Sequence, residues 1–147
     1  MTWNAHLLRW IELPTAALAV DLSRDGRTLY AACHDGVYRV DSENGENERV
    51  ATHESWTSGV CVVDGENEDP VVVSSGYDGA LLFTDPRDGR TIRRIQAHGF
   101  WSWQLAHSPD RRLVASVTGQ YLCGSYDYKP RPSAEPTVRV FDARSGA

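Results

Sequence analysis

The amino-acid sequence predicts an all-β protein in which short antiparallel strands form repeated four-stranded sheets. The clearest sign is the stretch 70–85, where two apolar runs flank the turn Gly-Tyr-Asp-Gly at residues 76–79. Asp-Gly between apolar runs is a strong hairpin signal, because the turn needs positive φ angles that Gly and Asp tolerate. Similar elements recur about every 43 residues, and no stretch keeps an apolar 3.6-residue period over three turns. We therefore expect no long helix.

Both strands of this hairpin carry apolar residues at consecutive positions, over residues 71–73 and 80–83. A strand that faces water on one side alternates between apolar and polar residues, whereas a strand covered on both faces reads as a continuous apolar run. The hairpin is therefore predicted to lie inside a stack of sheets.

The internal repeat is carried by three elements that return along the chain. An Asp-Gly dipeptide returns after 43 residues, and a histidine just before a Trp-containing strand start returns after 45. A turn segment of the type Ser-x-Asp returns after 85 residues, which is about two periods. Self-similarity at a fixed period indicates a repeated supersecondary unit. The recurring pairs are Asp35-Gly36 with Asp78-Gly79, His53 with His98, and residues 23–27 with 108–112.

The strands of each unit follow from the same signals. Within a unit, the first two strands flank a polar turn, the second and third flank the Asp-Gly turn, and the third ends at an Asp before a Gly-containing turn. Unit one is predicted to have strands at 17–22, 28–32, 37–41 and 49–52. Unit two has them at 58–63, 71–75, 80–84 and 91–96. Unit three has them at 102–107, 113–117 and 137–142.

The spacing and the recurrent Ser-x-Asp and Asp-Gly elements resemble the WD-repeat β-propeller family, over residues 7–147. That family has repeats of roughly 40–45 residues and four strands per blade. The resemblance implies one domain of about three blades over residues 1–147. Its parts are an orphan strand at 5–13, blade one at 14–53, blade two at 54–97, and blade three at 98–147 with an insertion at 118–136.

The resemblance also implies a hydrogen-bonded chain in each blade. In such blades a His, a Ser or Thr, a turn Asp and a Trp join the strands while satisfying buried polar groups. Unit one keeps only the turn Asp, so packing is expected to hold it together. In unit three the turn Asp is displaced by the insertion. The matching positions are Asp35 in unit one, His53, Ser74 and Asp78 in unit two, and His98, Ser116 and Phe141 in unit three.

Three blades leave the ring incomplete within one chain, since closed propellers have about four to eight. The orphan strand at the start would complement the missing fourth strand of unit three. We therefore expect further blades, either from identical chains that join head to tail, two giving six, or from a longer propeller. The alternative is an irregular three-sheet domain that stands alone.

Composition restricts the class of partner and compartment. The net charge of −5 argues against nucleic acid and anionic membranes as partners. No apolar run approaches the roughly 20 residues that a membrane span needs. The three cysteines are odd in number and unclustered, and the N-terminus has no signal-peptide pattern, so a cytoplasmic location is expected.

The sequence offers little support for catalysis or cofactors. There is no C-x-x-C, no close histidine pair, no G-x-S-x-G elbow and no Gly-rich phosphate loop, so no catalytic, metal or cofactor-binding residue is predicted. The carboxylates lie mostly in turns, where turn chemistry explains them.

Binding is the function that the sequence favours. In a propeller the loops before the first strands and between the second and third strands share one face. Aromatic residues there are typical interface anchors, although packing between blades is the alternative for the two tryptophans. The insertion is either a Tyr-rich binding lip or a cover for a neighbouring blade or for the central channel of the ring. The predicted partner-binding residues are His34, Trp56, Tyr77, Trp101, Tyr121, Tyr126 and Tyr128.

These observations predict a non-enzymatic scaffold module that binds a protein or peptide. The second possibility is a propeller-based enzyme or small-molecule binder with a site at the central channel. It would need convergent polar residues from several blades. The third is a purely structural protein whose main property is self-assembly.

Overall fold

The computed structural model describes residues 5–119 and 134–147, and over them the chain is all-β. The only helical element in these ranges is one turn of 3₁₀ helix, Glu66–Glu68. No helix in the described part of the chain has the length and apolar character needed to cross a membrane. In chain order the strands are β1 (Ala17–Leu22), β2 (Thr28–Cys33), β3 (Gly36–Asp41), β4 (Asn47–Ala51), β5 (Thr57–Asp64), β6 (Pro70–Gly76), β7 (Ala80–Thr84), β8 (Thr91–Gln96), β9 (Ser102–His107), β10 (Leu113–Thr118) and β11 (Val138–Asp142).

The strands form three antiparallel sheets in which each strand pairs with its neighbours in sequence. Sheet I has the order β1-β2-β3-β4, sheet II the order β5-β6-β7-β8, and sheet III the order β11-β10-β9. The eleven strands predicted for the three units are confirmed, four of them to the residue, and the largest shift is the start of β4 at Asn47 instead of residue 49. Sequential pairing follows from short turns, because antiparallel neighbours need only a tight connection.

Residues 5–16 form no strand in the structure, whereas the sequence predicted an orphan strand over 5–13. A strand exists only through hydrogen bonds to a neighbouring backbone. Side chains anchor this segment instead. Arg9 donates to the carbonyl oxygen of Ser42, and Ile11 and Leu13 pack against the apolar residues of β2 and β3.

The Ser-x-Asp turns that recur in the sequence have the same hydrogen bonds in sheets I and III. Ser23 Oγ donates to Asp25 Oδ1 at 2.6 Å and accepts the Thr28 N–H at 3.0 Å. Ser108 Oγ donates to Asp110 Oδ1 at 2.5 Å and accepts the N–H of the residue five positions on at 3.0 Å. The serine hydroxyls lower the pKa of both aspartates. The recurrent motif is therefore turn chemistry, in which Asp and Ser side chains bond to nearby backbone.

Sheet II lies between the other two and is buried on both faces. On one face Val60, Val62 and Val72 pack against sheet I. On the other face Val73 and Phe83 belong to an apolar cluster that extends into sheet III. The consecutive apolar residues of β6 and β7 therefore serve both faces, as the sequence predicted. Sheets I and III each bury one face in this way and leave the opposite face partly open to solvent.

The turn between β6 and β7 packs tightly against the loop before β9. Gly79 has a φ of +73°, and a Cβ there would lie 2.4 Å from the carbonyl oxygen of His98 and 2.7 Å from that of Phe100. Gly26 has a φ of +70° but nothing within 4 Å of its Cβ position. The two glycines thus share a left-handed backbone and differ in their surroundings.

Gly79→Ala is expected to destabilise the fold more than Gly26→Ala. A left-handed conformation costs an L-residue about 1–2 kcal/mol, and this cost applies to both variants. Gly79→Ala should lose about 1–3 kcal/mol more, since the added methyl displaces packed backbone. The free energy of unfolding from urea titration measures the difference. Equal losses would mean that the turn does not pack against the loop at 98–100.

Candidate functional site

Six ring side chains form a continuous row along one edge of the three sheets, which we call the aromatic edge. They come from the β2–β3 turn, the loop before β5, the β6–β7 turn, the loop before β9 and the start of β9. Each member contacts at least one other ring. The members are His34, Trp56, Tyr77, Phe100, Trp101 and Trp103.

The structure brings together the four predicted partner-binding residues that it describes. The ring centroids of His34 and Trp56 are 3.9 Å apart, and those of Trp56 and Tyr77 are 5.8 Å apart. Tyr77 and Trp101 stack nearly parallel, with centroids 4.6 Å apart and planes 8° from each other. The row therefore runs from sheet I across sheet II to sheet III. The predicted Tyr121, Tyr126 and Tyr128 lie outside the described residues.

Phe100 and Trp103 extend the row at the sheet III end, and neither was predicted from the sequence as a binding residue; Trp103 was expected to face a neighbouring blade. Trp101 stacks on Phe100 at 4.9 Å and meets the edge of Trp103 at 5.3 Å. The Trp103 Nε1–H donates to the carbonyl oxygen of Gly119 at 2.7 Å. Trp103 could have been found, since residues two apart in extended chain point to the same side. Phe100 carries no comparable signal.

The aromatic edge is partly open to solvent. Trp56 is 52% exposed and Trp101 is 37% exposed, although Trp side chains are mostly buried in folded proteins. Beside Trp56 lies an open depression of about 530 Å³, whose lining includes His34, Asp35 and His53. The edge thus offers flat apolar rings and a polar hollow next to each other.

A buried polar network lies below the edge in sheet II. His53 Nδ1 is 3.1 Å from Asp78 Oδ1, and His53 Nε2 is 2.9 Å from Ser74 Oγ. The Asp78 carboxylate also accepts the backbone N–H of Glu54 and of Ala80. Burial alone would raise the pKa of Asp78, but the hydrogen bonds from His53 and the backbone outweigh it and lower that pKa. The network fixes the turn that carries Tyr77.

Sheet III has the corresponding network, with an acid that the sequence analysis missed. His98 Nε2 is 2.9 Å from Ser116 Oγ, which is 2.8 Å from Ser102 Oγ. Glu135 accepts the Gly99 N–H at 2.9 Å, as Asp78 accepts the N–H of the residue after His53. The His98 Nδ1 lies 3.9 Å from Glu135 Oε2, and burial lowers the pKa of His98. Glu135 thus stands where sheet II has the turn Asp, at the far end of the predicted insertion.

The remaining predicted network residues have other surroundings. Asp35 accepts hydrogen bonds from Thr15 Oγ1 at 2.5 Å and Tyr38 Oη at 2.8 Å, and it pairs with Arg49 at 3.2 Å. These hydroxyl groups lower the pKa of Asp35. Phe141 packs against the apolar cluster between sheets II and III. Sheet I is therefore held together by the Asp35 carboxylate and by side-chain packing, in place of a buried histidine–serine network.

The hydrogen-bonded chain Ser74–His53–Asp78 has the same sequence of groups as a catalytic triad: a nucleophile, a base and an acid that orients the base. A catalytic nucleophile must reach its substrate, and Ser74 and Ser116 are both fully buried. Burial raises the pKa of the Cys61 thiol to about 12, so that thiol is inert at neutral pH. Among residues 5–119 and 134–147, no three His, Cys, Asp or Glu side chains converge as metal ligands would. The geometry of these groups is that of strand-joining networks.

Comparison of the chain with protein-family models finds no match, and comparison with curated protein sequences finds none either. The feature that stands apart from the core is the aromatic edge, together with the polar networks beneath it.

His53→Ala is expected to lower the free energy of unfolding by about 1–3 kcal/mol, because it removes the bonds that His53 makes to the buried Ser74 hydroxyl and to the Asp78 carboxylate. His6→Ala is the matched control, since His6 is exposed and should change stability by less than about 0.5 kcal/mol. Chemical denaturation of both variants measures the difference. Unfolding curves of His53→Ala that overlay the parent would show that the network stabilises nothing.

Proposed function

We propose that the three sheets are blades of a WD-repeat-type β-propeller and that the chain is a non-enzymatic module that binds a protein or peptide. The single observation that carries the proposal is the aromatic edge, a row of six ring side chains across all three sheets with two exposed tryptophans. Aromatic residues at a solvent-exposed edge are the usual anchors of protein interfaces.

The propeller part of the proposal is supported by how the sheets meet. The first strands of the sheets, β1, β5 and β9, lie next to each other, with β5 in contact with both others. Asp21 of β1 accepts the Val62 N–H of β5 at 2.8 Å and lies 3.4 Å from His107 of β9. Sheets whose first strands converge while their outer strands diverge have the arrangement of blades around an axis.

Rigidity supports the binding part of the proposal. The His53–Asp78 network holds the turn of Tyr77, and the bond from Gly99 to Glu135 holds the loop of Phe100 and Trp101. Loops fixed in advance lose little conformational entropy when a partner binds, which strengthens binding. The aromatic edge is therefore built as a preorganised surface.

A cytoplasmic location forms part of the same proposal. Cys33 and Cys61 are both free and buried, which is typical of a reducing compartment. The competing function is an enzyme or small-molecule binder with a channel site. The serine–histidine networks, the polar groups that would have to serve it, are buried, and this favours the binding module.

Peptide selection on the parent chain tests the proposed function. Peptides from a displayed random library are selected on the parent, and their dissociation constants are then measured on Trp101→Ala and Trp56→Ala. An anchor residue is worth about 2 kcal/mol or more, so affinity should fall about 30-fold. Quenching of tryptophan fluorescence on binding provides a second readout.

The matched control is Trp10→Ala, because Trp10 is 74% exposed and lies outside the aromatic edge. Affinity for the selected peptides should be unchanged in this variant. Peptides that bind Trp101→Ala and Trp56→Ala as tightly as the parent would show that the edge is not the binding surface. Circular dichroism confirms that each variant is folded.

A further inference from the structure

The face of sheet I that points away from sheet II, which we call its free face, carries apolar residues. At the equivalent positions of sheet II, apolar residues pack against a neighbouring sheet. The first strands of both sheets have a register irregularity near their start, which aligns β1 with β5. In this alignment Val20 stands where Val60 stands. Val60 is 5% exposed and packs against sheet I, whereas Val20 is 59% exposed. On this face Ile11 and Leu13 already cover β2 and β3, so the open part, around β1, is what one more sheet would cover.

The free face of sheet III shows the same property on the opposite side of the stack. Val140 pairs with Ala115 as Phe83 pairs with Val73, so Val140 and Phe83 occupy equivalent positions. Phe83 is 2% exposed and lies against sheet III, whereas Val140 is 58% exposed. The free face of sheet III therefore resembles the face that sheet II presents to sheet III. The free face of sheet I resembles the face that sheet II presents to sheet I.

The turn glycines that follow the third strand of each sheet indicate what lies beside sheet I. Gly89 lies against Val50 of β4, the outermost strand of sheet I, and Gly146 lies against Ile95 of β8, the outermost strand of sheet II. Gly45 lies against Ile11 instead. Ile11 therefore takes the place of the outermost strand of a sheet preceding sheet I. The three glycines end equivalent turns after the third strands, with φ of +78°, +72° and +71° for Gly45, Gly89 and Gly146.

The sheet that fits this position must be apolar on one face and must lack its outermost strand. Sheet III has both properties among the described residues, since its face is open at Val140 and β11 has no neighbour on its outer edge. Sheet III of a second copy of this chain therefore fits the position beside sheet I. The segment around Ile11 would then lie beside the copy's β11 as its fourth strand.

We propose that two copies of this chain associate head to tail, with sheet III of each docked on sheet I of the other. Each contact joins two different faces, and the two contacts of the dimer are related by a two-fold axis, so the assembly closes on itself. Two chains give six sheets, within the roughly four to eight of a closed propeller. The closure rests on the proposed blade arrangement. The interface uses the two ends of the stack and leaves the aromatic edge free for a partner.

Light scattering after size exclusion tests this proposal on the parent chain and on two face variants. The parent should have twice the chain mass of 16.4 kDa. Val20→Asp and Val140→Asp should each be monomeric, because a charge buried without a partner opposes docking. An equimolar mixture of the two variants should form a 1:1 dimer, since it restores one intact pair of faces. Only head-to-tail pairing of different faces predicts this recovery.

Ile92→Asp is the matched control, because Ile92 is 44% exposed on the outermost strand of sheet II and should leave the dimer intact. A parent mass of 16.4 kDa at every concentration would overturn the proposal, and the free faces would then belong to another partner. A dimer that survives either face substitution would also overturn it. Binding of the selected peptides by the monomeric variants would show that the aromatic edge functions independently of association.

Discussion

The constraint on which the whole structure depends is that each sheet is apolar on both faces and must be covered twice. In sheet II, valines at consecutive positions of β6 serve opposite faces, and both faces are buried. Burial of apolar surface stabilises by about 25 cal/mol per Å², so a sheet of this composition is stable only between neighbours. Sheet III is covered on one side, and sheet I is covered by sheet II on one side and on the other only over β2 and β3, by Ile11 and Leu13. The exposed valines at positions 20 and 140 are where it remains unmet in a single chain.

Polar side chains stabilise the edge of the stack. There the backbone leaves the strands and no longer forms hydrogen bonds with a neighbouring strand. His53 and His98 sit at equivalent places, and each joins a serine on the second strand to the loop that precedes the first strand. These buried bonds satisfy polar groups that would otherwise destabilise the core. They also hold the loops that bear the aromatic rings. Stability of the sheets and shape of the aromatic edge therefore come from the same side chains.

The sequence predicted the strands and turns well because their signals are local. The Asp-Gly turn at residues 78–79 and the Ser-x-Asp turn at 23–25 are decided by φ angles and hydrogen bonds within a few residues. What it missed depends on distant partners. Glu135 reaches Gly99 across 36 positions, which spacing alone cannot reveal. The segment 5–13 has strand-like residues but forms no strand, because pairing needs a neighbour that local sequence does not specify.

Hydrogen–deuterium exchange over β11, measured at rising protein concentration, tests most directly whether the open faces are covered by a second chain. The outward-facing amides of Val138–Asp142 should exchange more slowly as concentration rises, since the segment around Ile11 of another copy then pairs with that edge. Strand β8 is the internal reference, because it is an outermost strand that stays open in both states and should keep one rate. Exchange from β11 that is the same at all concentrations would contradict the head-to-tail arrangement.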